Sequence, residues 1–145
     1  MVENRLKGSD SFMMDETKVK EYFAKDRFVE WIGSDIVELT QDKAVVKTLV
    51  QPQHQNANGC AQGGMLYTIA DYTFALHANY LHPASVTQGG HAQYLRPVKV
   101  GEILTFTARE TVRVGHNSVS EVVAANAQDE IVCVFHFNAF IKELK

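Results

Sequence analysis

Asp71 lies midway along GGMLYTIADYTFALHANYL (residues 63–81), flanked by Ile69, Ala70, Tyr72 and Phe74. A carboxylate in such company has lost water, so its charged form is disfavoured unless a hydrogen bond or a cation holds it. That setting suits a general base or a nucleophile. It also suits a structural acid that caps a loop or pairs with an arginine such as Arg96. Gly63 and Gly64 open the same segment. The first N–H groups of a helix have no internal partner and carry partial positive charge, and glycine lets a ligand come close to them. The pair can therefore bind an oxyanion, or only shape a tight turn into a helix. Asn56, in the preceding loop, can both donate and accept, which fits a water-holding residue as well as a turn residue. Thr87 and His91 begin the next apolar stretch and either line the same pocket or face solvent. Tyr67, Phe74 and His77 fall at helical spacings that fit a core as readily as a pocket wall.

The elements that must position these residues can be read from periodicity. Val19, Tyr22 and Phe23 follow an i, i+3, i+4 pattern behind Asp15 and Glu16, which suit a helix N-terminus. Gly33 punctuates the chain after it. Ile36–Leu39 and Ala44–Val50 read as strands around the polar turn at 40–43. Residues 51–63 form a polar, glycine-bearing loop, and from Gly64 to Leu81 the pattern predicts a helix that is apolar nearly all round and hence buried on most sides. Beyond Pro83, Ser85–Leu95, Ile103–Arg113, Ser118–Ala127 and Ile131–Ile141 predict four strands with short turns, an antiparallel meander. An α+β domain results, in which a curved antiparallel sheet wraps one long helix. Residues 1–14 are expected to be a mobile leader and 15–145 a single domain.

The chain has 145 residues, net charge -3, 46% hydrophobic and 21% charged residues. That composition fits one soluble globular domain and argues against a nucleic-acid binder, which would carry a basic stripe. Cys60 and Cys133 are far apart and form no C-x-x-C pair, and the N-terminus has no apolar core of a signal peptide. Two reduced thiols in a cytoplasmic protein are expected. No apolar run reaches membrane-spanning length. The six histidines show no metal-binding spacing, so no metal site is expected.

The run from Asn56 through Gln62-Gly63-Gly64 to Ala70-Asp71 resembles the signature of the phenylacetic-acid-degradation-type acyl-CoA thioesterases of the hotdog superfamily. Tyr94-Leu95-Arg96-Pro97 followed by Val100-Gly101-Glu102 resembles the same family's strand-end sequence. The resemblance implies a single hotdog domain, and a reaction that needs no cofactor because the CoA thioester is itself the substrate. It implies that Asp71 is nucleophile or general base, that the Gly63 N–H polarises the thioester carbonyl, and that Asn56 helps place the water or the thioester. Thr87 falls where some members carry a hydroxyl near the acid. Gln62 stands where the family usually has histidine; an amide can hold the Gly63 loop but cannot relay a proton.

The expected activity is hydrolysis of a small, medium-chain or aromatic acyl-CoA. Gly64, Tyr67, Phe74 and Tyr94 are candidate substrate contacts, and Arg96, Lys99, Arg113 and His116 are candidate partners for the CoA phosphates. Two other functions compete. A hotdog hydratase or dehydratase would need His77 or His91 to meet Asp71. A non-catalytic acyl-CoA-binding module would bind without releasing thiol. Gly63 and Asp71 are eight residues apart, about 12 Å along one helix, too far for both to reach one carbonyl carbon. A two-fold assembly brings Asp71 of one chain to Gly63 and Asn56 of another. A homo-oligomer, dimer or dimer of dimers, is therefore expected.

Overall fold

A computed structural model describes residues 15–143; the expected leader, residues 1–14, lies outside them. Helix α1 (Glu16–Phe23) begins where Asp15 accepts from the Lys18 N–H at 2.9 Å. A second short helix stands between α1 and Gly33. The Asp26 carboxylate takes the Val29 N–H at 3.0 Å and starts this helix, α2 (Arg27–Ile32). A capping acid inside a helical pattern both ends one helix and starts another. Gly33 then turns the chain at φ 88°, a conformation that favours glycine.

Strands β1 (Asp35–Leu39) and β2 (Ala44–Leu49) form a hairpin, and α3 (Gly63–Leu81) follows the loop after β2. Next come β3 (Ser85–Tyr94), β4 (Ile103–Val114), β5 (Asn117–Ala125) and β6 (Ile131–Ile141). Each agrees with its predicted span to within a residue or two. The pairing does not: the sheet order is β1-β2-β4-β5-β6-β3, all antiparallel. Only β4, β5 and β6 form a meander. β3 pairs with β6 instead of with β4, because α3 carries the chain across the sheet and delivers β3 to the opposite edge.

The sheet curls around α3. Leu66, Ile69, Phe74 and Leu76 of the helix are buried with Phe106, Val122, Phe135 and Phe137 of the strands. Phe74 stacks on Phe137 with ring centroids 5.1 Å apart. This is the α+β hotdog arrangement that the resemblance implied. The helix is not sealed all round: Gly64, Tyr67, Thr68, Asp71 and Ala75, three or four residues apart, keep a narrow accessible stripe. That stripe faces β3, whose residues from Val86 to Tyr94 are exposed apart from half-buried Ala92.

At Gly90 the helix and β3 come so close that an added Cβ would overlap the Tyr67 hydroxyl and sit 2.7 Å from the Phe137 ring. Gly90→Ala should therefore lower the urea midpoint by the equivalent of about 1–3 kcal/mol, the cost of overpacking. Adding Tyr67→Phe should restore part of it; equal midpoints for Gly90→Ala and wild type would show that the two elements separate freely.

Candidate active site

Three contacts zip the accessible stripe of α3 to the inner face of β3. Thr87 Oγ1 donates to Asp71 Oδ1 at 2.7 Å. The Tyr67 hydroxyl occupies the space left by Gly90. Tyr94 donates its hydroxyl to the Gly63 carbonyl at 2.9 Å. On the helix these residues stand one turn apart, at 63, 67 and 71. On the strand, Thr87, Gly90 and Tyr94 pair with Ala139, Phe137 and Cys133 of β6, whose side chains are buried toward the helix. The extra residue between Thr87 and Gly89 shifts the register, so that Thr87 and Gly90 both face inward.

Half-buried Asp71 has a carboxyl raised above its ordinary value of 3.8, first by burial and then by the charge of Asp26, while the Thr87 hydrogen bond pulls it back down. Among the described residues no cation pairs with it. Arg96, the partner weighed from sequence, lies instead 3.4 Å from Glu130. Asp71 is thus an acid without a structural ion pair, at an accessible edge.

At the head of α3, Gln62 is the N-cap, its Oε1 accepting from the Met65 N–H at 3.1 Å. Its amide holds the Gly63 turn, as the reading of this departure allowed. The N–H groups of Gly63 and Gly64 donate to no acceptor among the described residues, so they remain available to a ligand. Asn56 uses its Oδ1 inside the loop, accepting from Asn58 and Cys60 N–H at 2.9 and 3.1 Å. Only its Nδ2 is left, which makes Asn56 a donor. Asn56, Gly63, Tyr94 and Arg96 border a cleft of about 370 Å³.

Other candidates fall elsewhere. Phe74, 1% exposed, is core and no pocket wall. Tyr67 is half-buried, its ring edge-on to Phe135 and Phe137. Lys99 lies in the loop after β3, bridged to Cys60, at the same end as Arg96. Arg113 and His116 are at the β4–β5 turn, where His116 Nδ1 bonds the Ile141 carbonyl at 2.6 Å, at the other end of β3 from the cleft. A single chain therefore does not gather the four basic residues.

The histidines that a hydratase would need are also elsewhere. His91 alternates with inward Gly90 and Ala92, beside His136 on the outer face, and His77 bonds the Gln41 carbonyl at 3.1 Å. Neither meets Asp71. Both cysteines are free, and burial pushes Cys133 up to about 11. Among the described residues no helix is long and apolar enough to cross a membrane, and no three His, Cys, Asp or Glu side chains are grouped to hold a metal ion.

Sequence reasoning missed two positioning residues. Tyr94, which suits an acyl pocket and a core equally by its type, uses its hydroxyl to anchor the turn that presents the Gly63 N–H. Gly90 carried no signal without knowledge of what faces it. Asp26, whose charge acts on Asp71, sits far off in sequence, and only packing of α2 beside α3 reveals it.

The thioesterase superfamily profile matches residues 58–133. The acyl-coenzyme A thioesterase PaaI of Escherichia coli is 29% identical over 113 residues, 78% of this chain and 81% of that protein. The structure of the E. coli PaaI protein from the phenylacetic acid degradation operon superposes with a TM-score of 0.81 at 27% identity, covering 86% of this chain and 90% of that one. A hypothetical thioesterase protein of Streptococcus pneumoniae, crystallised with coenzyme A, superposes with a TM-score of 0.80 at 25% identity, covering 86% and 98%.

A carboxyl raised in the fold binds its proton more tightly there than in the unfolded chain. Its charge therefore costs stability at neutral pH, and the cost disappears as pH falls below the ordinary carboxylate range. Asp71→Asn, neutral throughout and still able to accept from Thr87, should have a higher urea midpoint than wild type at pH 7. The gain should vanish at pH 3. A lower midpoint at pH 7 would mean that the charged form is the stabilised one.

Proposed function

We propose that this chain, which belongs to the thioesterase superfamily and is a thioester hydrolase, cleaves acyl-CoA substrates to the free acid and CoA. The observation that carries the proposal is the half-buried, cation-free Asp71 carboxyl held by Thr87. The relatives named as a CoA thioesterase and crystallised with CoA support the leaving group.

The chemistry divides between the head of α3 and its middle. The Gly63 N–H, aided by Asn56 Nδ2, donates to the carbonyl oxygen as it gains charge. Gly63 opens the helix, where the backbone dipole favours that charge, and Asn56 reaches in from the loop before it. Asp71 takes a proton from water as the water adds to the carbonyl carbon. The tetrahedral intermediate collapses, the C–S bond breaks, and Asp71 returns the proton to the thiolate sulfur of CoA. A raised carboxyl suits a base that must hold a proton between the two steps. Thr87 fixes one carboxyl oxygen and leaves the other for water.

One chain cannot do this alone, since its own Gly63 and Asp71 lie about 12 Å apart along α3. The exposed edge of β3, which carries Thr87, is where a second copy would add its sheet and bring its Gly63 and Asn56 to this Asp71. Arg96 and Lys99 beside that cleft then face the phosphates of CoA.

A panel of acyl-CoAs with a thiol-reactive dye tests the activity. Wild type should release CoA, and Asp71→Asn should lose at least about a hundredfold in turnover, the scale of a lost general base, while still binding CoA. Hydrated acyl-CoA without thiol release would point to a hydratase, and near-normal turnover in Asp71→Asn would remove this acid from the reaction.

A further inference from the structure

A two-fold arrangement that brings Asp71 of one chain to Gly63 of another also brings Gly63 of the first to Asp71 of the second. Its axis then passes beside Tyr67, halfway between the two on α3. The Tyr67 hydroxyl lies against Gly90 of β3. The strand marks the same place. Thr87 serves Asp71 and Tyr94 serves Gly63. Their partners on β6 are Ala139 and Cys133, and halfway between these stands His136, opposite His91. β3 is the last strand of the sheet, and an axis perpendicular to the sheet pairs it antiparallel with its copy. The axis therefore crosses the edge at Gly90 and His91.

Gly90 faces the helix, so His91 projects from the outer face, where it and His136 are both exposed. Directly opposed residues on neighbouring strands keep their β-carbons about 5 Å apart, and diagonal ones about 7–8 Å. His91 thus has His136 on one side and, across the axis, His91 of the second copy on the other. Beyond His136 stands Glu121 of β5, whose Oε2 lies 3.2 Å from His136 Nε2. Arg109 of β4, opposite Glu121, ends the row. A neutral imidazole that donates its Nε2–H to a carboxylate keeps a lone pair on Nδ1, the arrangement that orients histidine toward a metal. One chain brings only two imidazoles to this row. Spacing along the chain carries no metal motif because these histidines meet across strands and across an axis.

We propose that the dimer binds one divalent transition metal ion of the zinc class at this axis, on the outer face of the joined sheets. His91 of both copies and His136 of either one hold it, with water in the fourth position, and Glu121 orients His136. Imidazole nitrogens reach zinc at about 2.0–2.1 Å and suit zinc, nickel and copper, whereas magnesium and calcium take oxygen ligands. The proposal rests on the reading of a catalytic centre shared by two chains. The ion takes no part in hydrolysis, because the sheet lies between it and Asp71 on the inner face. Its effect is on assembly. An ion that needs ligands from both chains favours the dimer. Free zinc at a hundred times its dissociation constant should lower the dimer dissociation constant about a hundredfold.

Chelator-dialysed protein titrated with zinc chloride in a calorimeter should bind one ion per two chains. His91→Gln should abolish that binding, and His136→Gln should weaken it by at least about tenfold. Both side chains are exposed, so neither change should disturb folding. In sedimentation, zinc should tighten the wild-type dimer and leave that of His91→Gln unaltered. One ion per chain, no binding, magnesium bound as well as zinc, or unchanged affinity in His91→Gln would overturn the proposal. A cross-link separates this outcome from failure of the shared catalytic centre. His91→Cys treated with a short bis-maleimide should give covalent dimers, and wild type, whose Cys133 is buried and Cys60 half-buried, should not. Covalent dimers without zinc binding would reject the metal site and leave the shared centre standing. Neither cross-linking nor zinc binding would reject both the site and the two-fold arrangement on which it depends.

Discussion

The Asp71 carboxylate is drawn half out of water between α3 and β3 and is given back one neutral hydrogen bond, from Thr87. Burial and Asp26 raise its carboxyl, and no described cation opposes them. Everything around the site follows from placing that acid. The helix must be buried on most faces to desolvate it, yet keep one stripe open for it to act. The sheet must therefore curl around α3 and leave its last strand as an edge. Thr87, on that edge, is the contact that fixes the acid and also the point where chemistry meets solvent.

Much of this was legible in the residues. The apolar run from Gly63 to Leu81 dictates a buried helix, and an aspartate in its middle is conspicuous because carboxylates resist such places. Loop, glycine pair and acid share one local stretch, so spacing alone could relate them. Strand positions were also local signals, read from β-branched and aromatic runs.

What was not legible depends on tertiary placement. Short turns predict neighbours, but β3 follows a long helix that can deliver it to either edge of the sheet, so its pairing with β6 left no trace in periodicity. Gly90 looks like any strand glycine until the Tyr67 hydroxyl is found in its place. Phe74 and Tyr67 differ by two turns of the same helix, and only packing decides that the first is core and the second reaches the accessible stripe. The basic residues were grouped by charge, yet the fold sends Arg96 and Lys99 to one end of β3 and Arg113 and His116 to the other.

The two halves of the proposed reaction, a donor-rich helix head and an acid two turns along, are held rigidly apart by α3 itself. Rigidity suits catalysis only if a second copy supplies the missing half, and the exposed β3 edge offers the surface. Subunit complementation measures this directly. Asp71→Ala and Asn56→Ala, each inactive alone, are mixed in equal amounts under conditions that exchange subunits. Half the dimers are then mixed, and each mixed dimer holds one site with both lesions and one intact site, so about a quarter of wild-type activity should return. If exchange is demonstrated and no activity returns, Asp71 and Asn56 act within one chain and the shared site is contradicted.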